Sequence, residues 1–76
     1  MFKKVLEVIK DNKLKIILDK NKIYINNYKE IIDINDYLVK IDCNNFNLKI
    51  YGNNLKVKEM VDNEILIEGF IEKVEL

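Results

Sequence analysis

Two stretches of the sequence alternate apolar and polar residues with a period of two, and each contains a glycine. Residues 46–57 read FNLKIYGNNLKV, and residues 65–69 (ILIEG) repeat the pattern of residues 48–52 (LKIYG). Because successive side chains of a strand point to opposite faces, this alternation is typical of strands with one buried face. We predict that residues 46–57 form a strand, a turn at Gly52-Asn53-Asn54 and a second strand, with Gly52 at positive φ.

Shorter apolar runs predict further strands before this hairpin. They are separated by turns rich in asparagine and aspartate at residues 19–21, 26–27 and 35–36. The apolar residues of these runs are Leu14, Ile16, Leu18, Ile23, Ile25, Ile31, Ile32, Ile34, Val39, Ile41 and Cys43. We therefore expect a single domain over residues 1–76, with all strands in residues 13–76. The predicted fold is all-β, a small antiparallel β-sandwich or β-roll of short strands.

The residue pattern of the last predicted strand indicates an irregularity in its pairing. Ile65, Ile67, Gly69 and Ile71 share one face, whereas Val74 has the opposite parity. One extra residue in a strand produces such a switch, so we predict a bulge near residues 72–73. Gly69 lies inside an apolar run, which indicates a bend or a close approach of another backbone.

The first 12 residues predict a short amphipathic helix. Their apolar residues follow the spacing i, i+3, i+4, i+7, and lysines lie mainly on the opposite side; the apolar set is Phe2, Val5, Leu6 and Ile9. One interpretation places this helix on a membrane surface. We favour the other, in which the helix covers an open face of the sheet, because a helix of under three turns seldom anchors a protein alone.

Composition limits how so small a chain can be stabilised. A domain of 76 residues lies near the lower size limit for independent folding. Cys43 is the only cysteine and histidine is absent, so neither an intrachain disulfide nor a cysteine–histidine zinc site is expected. We expect the remaining route, association with a partner, and in particular a homo-oligomer.

Charge and hydropathy exclude several classes of protein. Basic and acidic residues balance at 13 each, and every basic residue is a lysine. The chain therefore has no net charge that would attract nucleic acid, and it lacks the arginine side chains that commonly make bidentate contacts with bases and phosphates. No apolar run is long enough for a signal sequence or a membrane span, so we expect a cytoplasmic protein.

Candidate catalytic residues do not form a reactive set. Cys43 has inward parity, and no histidine exists to activate it. Glu64, Glu68 and Glu72 share the outward parity, where acids are normally solvated. Residues 33–36 lack the glycine and the distal glutamate of a calcium loop. We expect a protein that is not an enzyme, with no catalytic residues, no cofactor, no metal and no small-molecule substrate.

Outward-facing aromatic and apolar residues favour a binding surface. Tyr51, Leu66 and Phe70 combine apolar character with outward parity, and we take them as the candidate interface. An RNA-binding barrel is an alternative, because four tyrosines could stack on bases. No basic stripe accompanies the tyrosines, so we expect no nucleic acid; the four are Tyr24, Tyr28, Tyr37 and Tyr51.

Three segments together resemble the YabP/YqfC family of sporulation proteins. Residues 23–32 (IYINNYKEII) are similar to its "I-E-N-Y-K-G-I" opening. Residues 50–59 (IYGNNLKVKE) are similar to its "I-x-G-x-x-L-x-I-K-E" centre, and residues 65–75 (ILIEGFIEKVE) to its "I-x-I-x-G-x-I-x-x-I-E" ending. The three occur in the family's order over about two-thirds of the chain, and they resemble the YqfC branch more closely.

The resemblance implies a biological setting that the residues alone do not give. Members of the family are small all-β domains of endospore-forming bacteria, made in the mother cell and often associated with a membrane protein encoded nearby. This implies a non-enzymatic interaction module in spore-envelope development, located in the mother-cell cytoplasm or peripherally at the forespore membrane. A self-assembling structural protein, whose exposed strand edges polymerise, is the main alternative.

Overall fold

In a computed structural model, the chain forms one antiparallel β-sheet; the structure describes residues 6–10 and 14–76. The order of the strands across the sheet is β1-β2-β3-β7-β6-β5-β4. Their bounds are β1 Leu6–Lys10, β2 Leu14–Asp19, β3 Lys22–Asn26, β4 Glu30–Ile34, β5 Leu38–Asp42, β6 Asn47–Val61 and β7 Glu64–Glu75. This confirms the predicted all-β, antiparallel fold class, and no helix occurs in the described residues.

A helix is predicted over residues 1–12, and of these the structure describes residues 6–10. Leu6–Lys10 is strand β1, in which Leu6 lies opposite Leu18 of β2 and Lys10 lies opposite Leu14. The β-branched residues Val8 and Ile9 suit a strand, and an edge of β2 supplies hydrogen-bonding partners for it. The rest of the predicted helix, residues 1–5 and 11–12, lies outside the described residues.

Strands β6 and β7 are much longer than the short strands we predicted, with 15 and 12 residues. Their hairpin belongs to two parts of the sheet. Residues 56–61 and 64–68 of the hairpin join β3, β2 and β1 in what we call the first half-sheet. Residues 47–53 and 70–75 join β5 and β4 in the second half-sheet.

Three bulges interrupt the hairpin between its ends. Glu72 is an extra residue in β7, because Tyr51 lies opposite Lys73 while Gly52 lies opposite Ile71. This confirms the bulge predicted near residues 72–73. The other two lie in β6, at residues 54–55 opposite Gly69 and at residue 58. Since a bulge bends its strand and increases the local twist, the three together fold one half-sheet toward the other.

The predicted turn at Gly52-Asn53-Asn54 is wrong, because β6 continues through these residues. Gly52 is needed for close packing, not for positive φ: a Cβ atom there would overlap the carbonyl oxygen of Phe70 and lie 3.0 Å from its carbonyl carbon. The close approach predicted at Gly69 is confirmed. Its φ is +154°, and a Cβ atom would lie 2.7 Å from the carbonyl oxygen of Asn54.

Both half-sheets contribute their inner faces to a single apolar core. Buried side chains recur at every second position of the paired strands, as the alternation predicts. The core residues are Leu14, Ile16, Ile23, Ile25, Tyr28, Val39, Ile41, Cys43, Leu48, Ile50, Leu55, Ile65 and Ile67. Burial of these side chains, each worth about 1.5–3 kcal/mol for the larger aliphatic residues, is the main stabilising term.

Candidate interaction surfaces

Tyr51 and Phe70 lie on the outer face of the second half-sheet, as predicted for the candidate interface. Phe70 is 61% exposed and lies opposite Asn53, two residues along β6 from Tyr51. Tyr51 is half-buried, and its hydroxyl donates a hydrogen bond to Glu75 Oε1 at 3.2 Å. The Nζ atom of Lys73 lies 5.2 Å from the centroid of the Tyr51 ring. Tyr51 is thus already engaged on two sides, and Phe70 is the more accessible of the two.

Leu66 lies in the first half-sheet, on the other side of the Gly69 bulge from Phe70. It is half-buried, with Tyr24 of β3 opposite on one side and Glu59 of β6 on the other. The structure therefore brings two of the three predicted interface residues together and separates the third. That they bind a partner stays a prediction.

Two tyrosines on these outer faces are held in their neutral form. Desolvation by burial raises the pKa of Tyr51, and its hydrogen bond to the Glu75 carboxylate raises it further. The pKa of Tyr24 is raised in the same way, by desolvation and then by a hydrogen bond to Glu64. Both phenols therefore remain hydrogen-bond donors to carboxylates well above neutral pH.

Strand β4 forms a second surface, which the sequence analysis did not single out. Among the described residues it pairs only with β5, so it lies at an edge of the sheet. Ile32 is 45% exposed, Ile34 is 40% exposed, and Tyr37, in the turn that follows, is 65% exposed. A strand with one open edge and exposed apolar side chains beside it is a recognised template for pairing with another strand. We refer to residues 30–37 as the β4 edge.

The turn after β4 is fixed by hydrogen bonds to its own side chain and to β6. Asn35 Oδ1 accepts from the backbone N–H groups of Tyr37 at 3.1 Å and Leu38 at 2.9 Å. The N–H of Gly52 donates to the Tyr37 carbonyl at 3.1 Å, and that of Leu55 donates to the Asp36 carbonyl at 2.9 Å. The carbonyls of residues 36 and 37 are therefore anchored to the bent middle of β6, which positions the β4 edge.

A shallow groove of about 320 Å³ lies between the end of β2 and the last part of β7. Its apolar lining comes from Leu18, Ile71 and Val74, which also pack against the core. The rim carries charges of both signs, from Asp19, Lys20, Glu72 and Lys73. An apolar groove with such a balanced rim does not select a ligand of one charge.

The cysteine and carboxylate side chains considered for chemistry are placed as follows in the part of the chain that the structure describes. Cys43 is 4% exposed, and burial, with a smaller contribution from the Asp42 charge, raises its pKa to about 11. A thiol with so high a pKa stays protonated and is a poor nucleophile at neutral pH. Within residues 6–10 and 14–76, no three cysteine or carboxylate side chains gather as metal ligands.

The four tyrosines considered for base stacking have different environments. Tyr28 is buried in the core and cannot reach a nucleic acid without unfolding. Tyr24 and Tyr51 are half-buried on different half-sheets, and of the four only Tyr37 is widely exposed.

Membrane-spanning helices were considered separately. Among the described residues, no helix has the length and apolarity needed to cross a membrane.

Comparison with known proteins gives one match. The model of the YabP family matches residues 10–76, which is most of the chain and includes every strand from β2 to β7. No curated protein matches the chain. No solved structure matches it either.

Proposed function

The chain belongs to the YabP family, and from this membership we propose that it is a non-enzymatic interaction module in spore-envelope development, acting with a membrane protein. The family is associated with sporulation, which is consistent with a sporulation role for this chain. We further infer that it belongs to the YqfC branch, on the three segments at residues 23–32, 50–59 and 65–75 that resemble that branch.

The family match is the observation that carries this proposal, and the surface chemistry agrees with it. The core is apolar and contains no buried polar or charged side chain among the described residues. The lone thiol has a raised pKa. Exposed apolar side chains occur instead on the outer face and along the β4 edge, as on proteins that act by binding other proteins.

The proposed location is the mother-cell cytoplasm, with the chain bound peripherally at the forespore membrane through its partner. An interaction with a membrane protein would hold the chain at that membrane. A homo-oligomer is compatible with this role, because a small domain gains stability when its exposed apolar residues are covered.

The decisive experiment is a count of heat-resistant spores from an in-frame deletion strain of an endospore-forming host. We expect a large drop that the intact gene restores and that an empty vector does not. An unchanged count in the deletion strain would contradict the proposed role in sporulation.

The predicted outer-face interface has its own test. Phe70→Glu places a charge on a side chain that is 61% exposed, so we expect the midpoint of thermal unfolding to stay nearly unchanged. Binding to the partner or to a second copy should be lost, as measured by co-purification with the membrane fraction and by sedimentation. Met60→Glu is the matched control, because Met60 is an apolar residue of β6 that is 50% exposed and lies opposite the uncharged Ile65. If Phe70→Glu unfolded the domain, Phe70 would be structural and the proposed interface would be wrong.

Self-assembly into a structural polymer is the second candidate, and the unpaired β4 edge is the observation that favours it. Sedimentation at increasing protein concentration separates the two. A fixed small oligomer supports the interaction module, whereas open-ended growth supports the polymer.

A further inference from the structure

We propose that the β4 edge is the docking site for an extended segment of a partner protein, in which apolar residues alternate with lysine or arginine. The segment would add as a new strand next to β4. This inference rests on the proposed function, because it names a second surface, besides the outer face with Phe70, and the chemistry by which an interaction module would hold a partner segment.

The backbone of β4 offers hydrogen bonds on its open side. The N–H of Lys29 donates to the Asp42 carbonyl at 2.8 Å, and the N–H of Asn35 donates to the Leu38 carbonyl at 3.0 Å. Both point across the ladder between β4 and β5. Asp42 and Leu38 direct their carbonyls toward β4, and the register has one extra residue at Ile32. Because the backbone direction alternates along a strand and the bulge resets the alternation, Ile31 and Ile34 direct their N–H and C=O groups away from β5. These groups are free to pair with an incoming strand.

The bulge in β4 determines which part of the edge is used. Ile32 is the extra residue, since Ile31 lies opposite Ile41 and Asp33 lies opposite Lys40. Bulges at edges limit indiscriminate pairing, so an added strand is expected to be short and specific in register. The exposed side chains of Ile32 and Ile34 then provide the apolar contacts.

The charges around the edge select the partner. Three exposed carboxylates belong to the β4 edge itself, those of Glu30, Asp33 and Asp36. A fourth, from Asp42, lies opposite Glu30 in the ladder. Only Lys29 and Lys40 oppose them at this edge, so four negative charges face two positive ones. A strand with basic residues between its apolar ones complements this edge, whereas an acidic strand is repelled.

The same charges disfavour pairing between the β4 edges of two copies of the chain. Two β4 edges paired with each other would bring their carboxylates together, and like charges across neighbouring strands are destabilising. A partner segment of opposite charge has no such cost. Basic residues are also common in the cytoplasmic segments that flank membrane spans, which fits the proposed membrane partner.

A pair of synthetic peptides tests the proposal with the chain of 76 residues. The first alternates lysine with valine and isoleucine over eight residues; the second has glutamate at each lysine position. Amide shifts and amide hydrogen exchange of the labelled protein are followed by NMR during titration. We expect the lysine peptide to bind roughly tenfold or more tightly than the glutamate peptide. The shift changes should lie at residues 31–34, and the slowed exchange at the outward amides of Ile31 and Ile34.

Equal binding of the two peptides would overturn the proposal. So would the absence of binding at about 1 mM lysine peptide, or shifts confined to Phe70 or to the groove between β2 and β7. Self-association that places a second copy at β4, detected by sedimentation and by intermolecular contacts in NMR, would overturn the choice of occupant.

Two variants of Ile34 separate the backbone from the side chain. Ile34→Pro removes the outward N–H, a change that edge strands tolerate, while Ile34→Ala shortens the side chain and keeps the N–H. We expect the proline variant to bind the lysine peptide about threefold to tenfold more weakly than the alanine variant, from loss of one hydrogen bond. Equal binding by two folded variants would overturn the added-strand geometry.

A charge variant tests the proposal independently, in case Ile34→Pro fails to fold. Glu30→Lys lies opposite Asp42, so it should be tolerated by the ladder. We expect it to weaken the lysine peptide and to strengthen the glutamate peptide, each by about threefold. No change in the ratio of the two affinities would overturn the role of charge.

The two proposals can fail separately. If deletion of the gene lowers the spore count but the chain with Ile34→Pro restores it fully, the docking inference is overturned and the sporulation role stands. If the deletion leaves the count unchanged, the sporulation role is contradicted, while the peptide titration still decides whether the β4 edge binds basic strands.

Discussion

Replacement of Gly52 by alanine should destabilise the domain severely, although it adds a single methyl group. The added Cβ would overlap the Phe70 carbonyl oxygen and would lie 3.0 Å from the Phe70 carbonyl carbon and 3.1 Å from the Ile71 Cα atom. All three are backbone atoms of the paired strand, so no flexible side chain can move aside. Relief requires β6 and β7 to separate where the hairpin bends.

The expected loss follows from two contributions. Overpacking of a closely packed site costs about 1–3 kcal/mol. Separation of the strands weakens one or two ladder hydrogen bonds, worth about 1 kcal/mol each. A loss of about 3 kcal/mol is large for a domain whose total stability, at 0.05–0.15 kcal/mol per residue, is about 4–11 kcal/mol. At about 4–8 °C per kcal/mol, the midpoint of thermal unfolding should fall by about 12–24 °C.

The measurement is thermal and urea unfolding followed by circular dichroism. Lys56→Ala, an exposed position of the same strand, is the control and should shift the midpoint by no more than a few degrees. A folded Gly52→Ala variant with an unchanged midpoint would refute the close approach of the two backbones at this bend.

Two further outcomes follow from the core. Ile41 is fully buried, so Ile41→Ala should lower the free energy of unfolding in urea by about 2–5 kcal/mol. Ile32 is 45% exposed, so Ile32→Ala should lower it by less than about 1 kcal/mol. Similar losses for the two variants would contradict the burial of Ile41. For Cys43, the folded pKa of about 11 lies above the ordinary value of 9.0, so its contribution to stability is complete below pH 9 and is lost as the pH rises toward 11. The difference in unfolding free energy between the natural chain and Cys43→Ala should therefore shrink over that range, and a constant difference would show that the thiol is not desolvated.

Much of the core could be predicted from the sequence because period-two alternation directly encodes which face is buried. The buried pairs Ile23 and Ile25, and Leu48 and Ile50, follow from that alternation alone. The bulge at Glu72 was predictable for the same reason, since the switch of parity in β7 has no other simple cause. Cys43 was placed in the core by the same pattern.

The position of the turn in the long hairpin was not predictable in this way. A glycine followed by two asparagines is a strong turn signal, yet Gly52 serves a close contact and β6 continues. The actual turn uses Asp62-Asn63, with Asp62 at a φ of +51°, between strands that end at Val61 and begin at Glu64. Glycine is required both in turns and at close backbone contacts, and only the pairing partner distinguishes them.

The candidate surfaces depend on pairing over long distances along the chain. Leu66 has outward parity, but it is half-buried because Tyr24 and Glu59 flank it. This burial can be predicted only when the strands next to β7 are known. The β4 edge is exposed because β4 is last in the strand order. Nothing within residues 30–34 distinguishes an edge strand from a central one.

The hairpin of β6 and β7 also makes the molecule unfold as one unit. Each half-sheet contains part of both long strands, and each covers the apolar face of the other. Opening either half would expose the shared core and would release the hairpin that orders the other half. We therefore expect the slowest-exchanging amides of β3, β5, β6 and β7 to share a single opening free energy, equal to that of global unfolding.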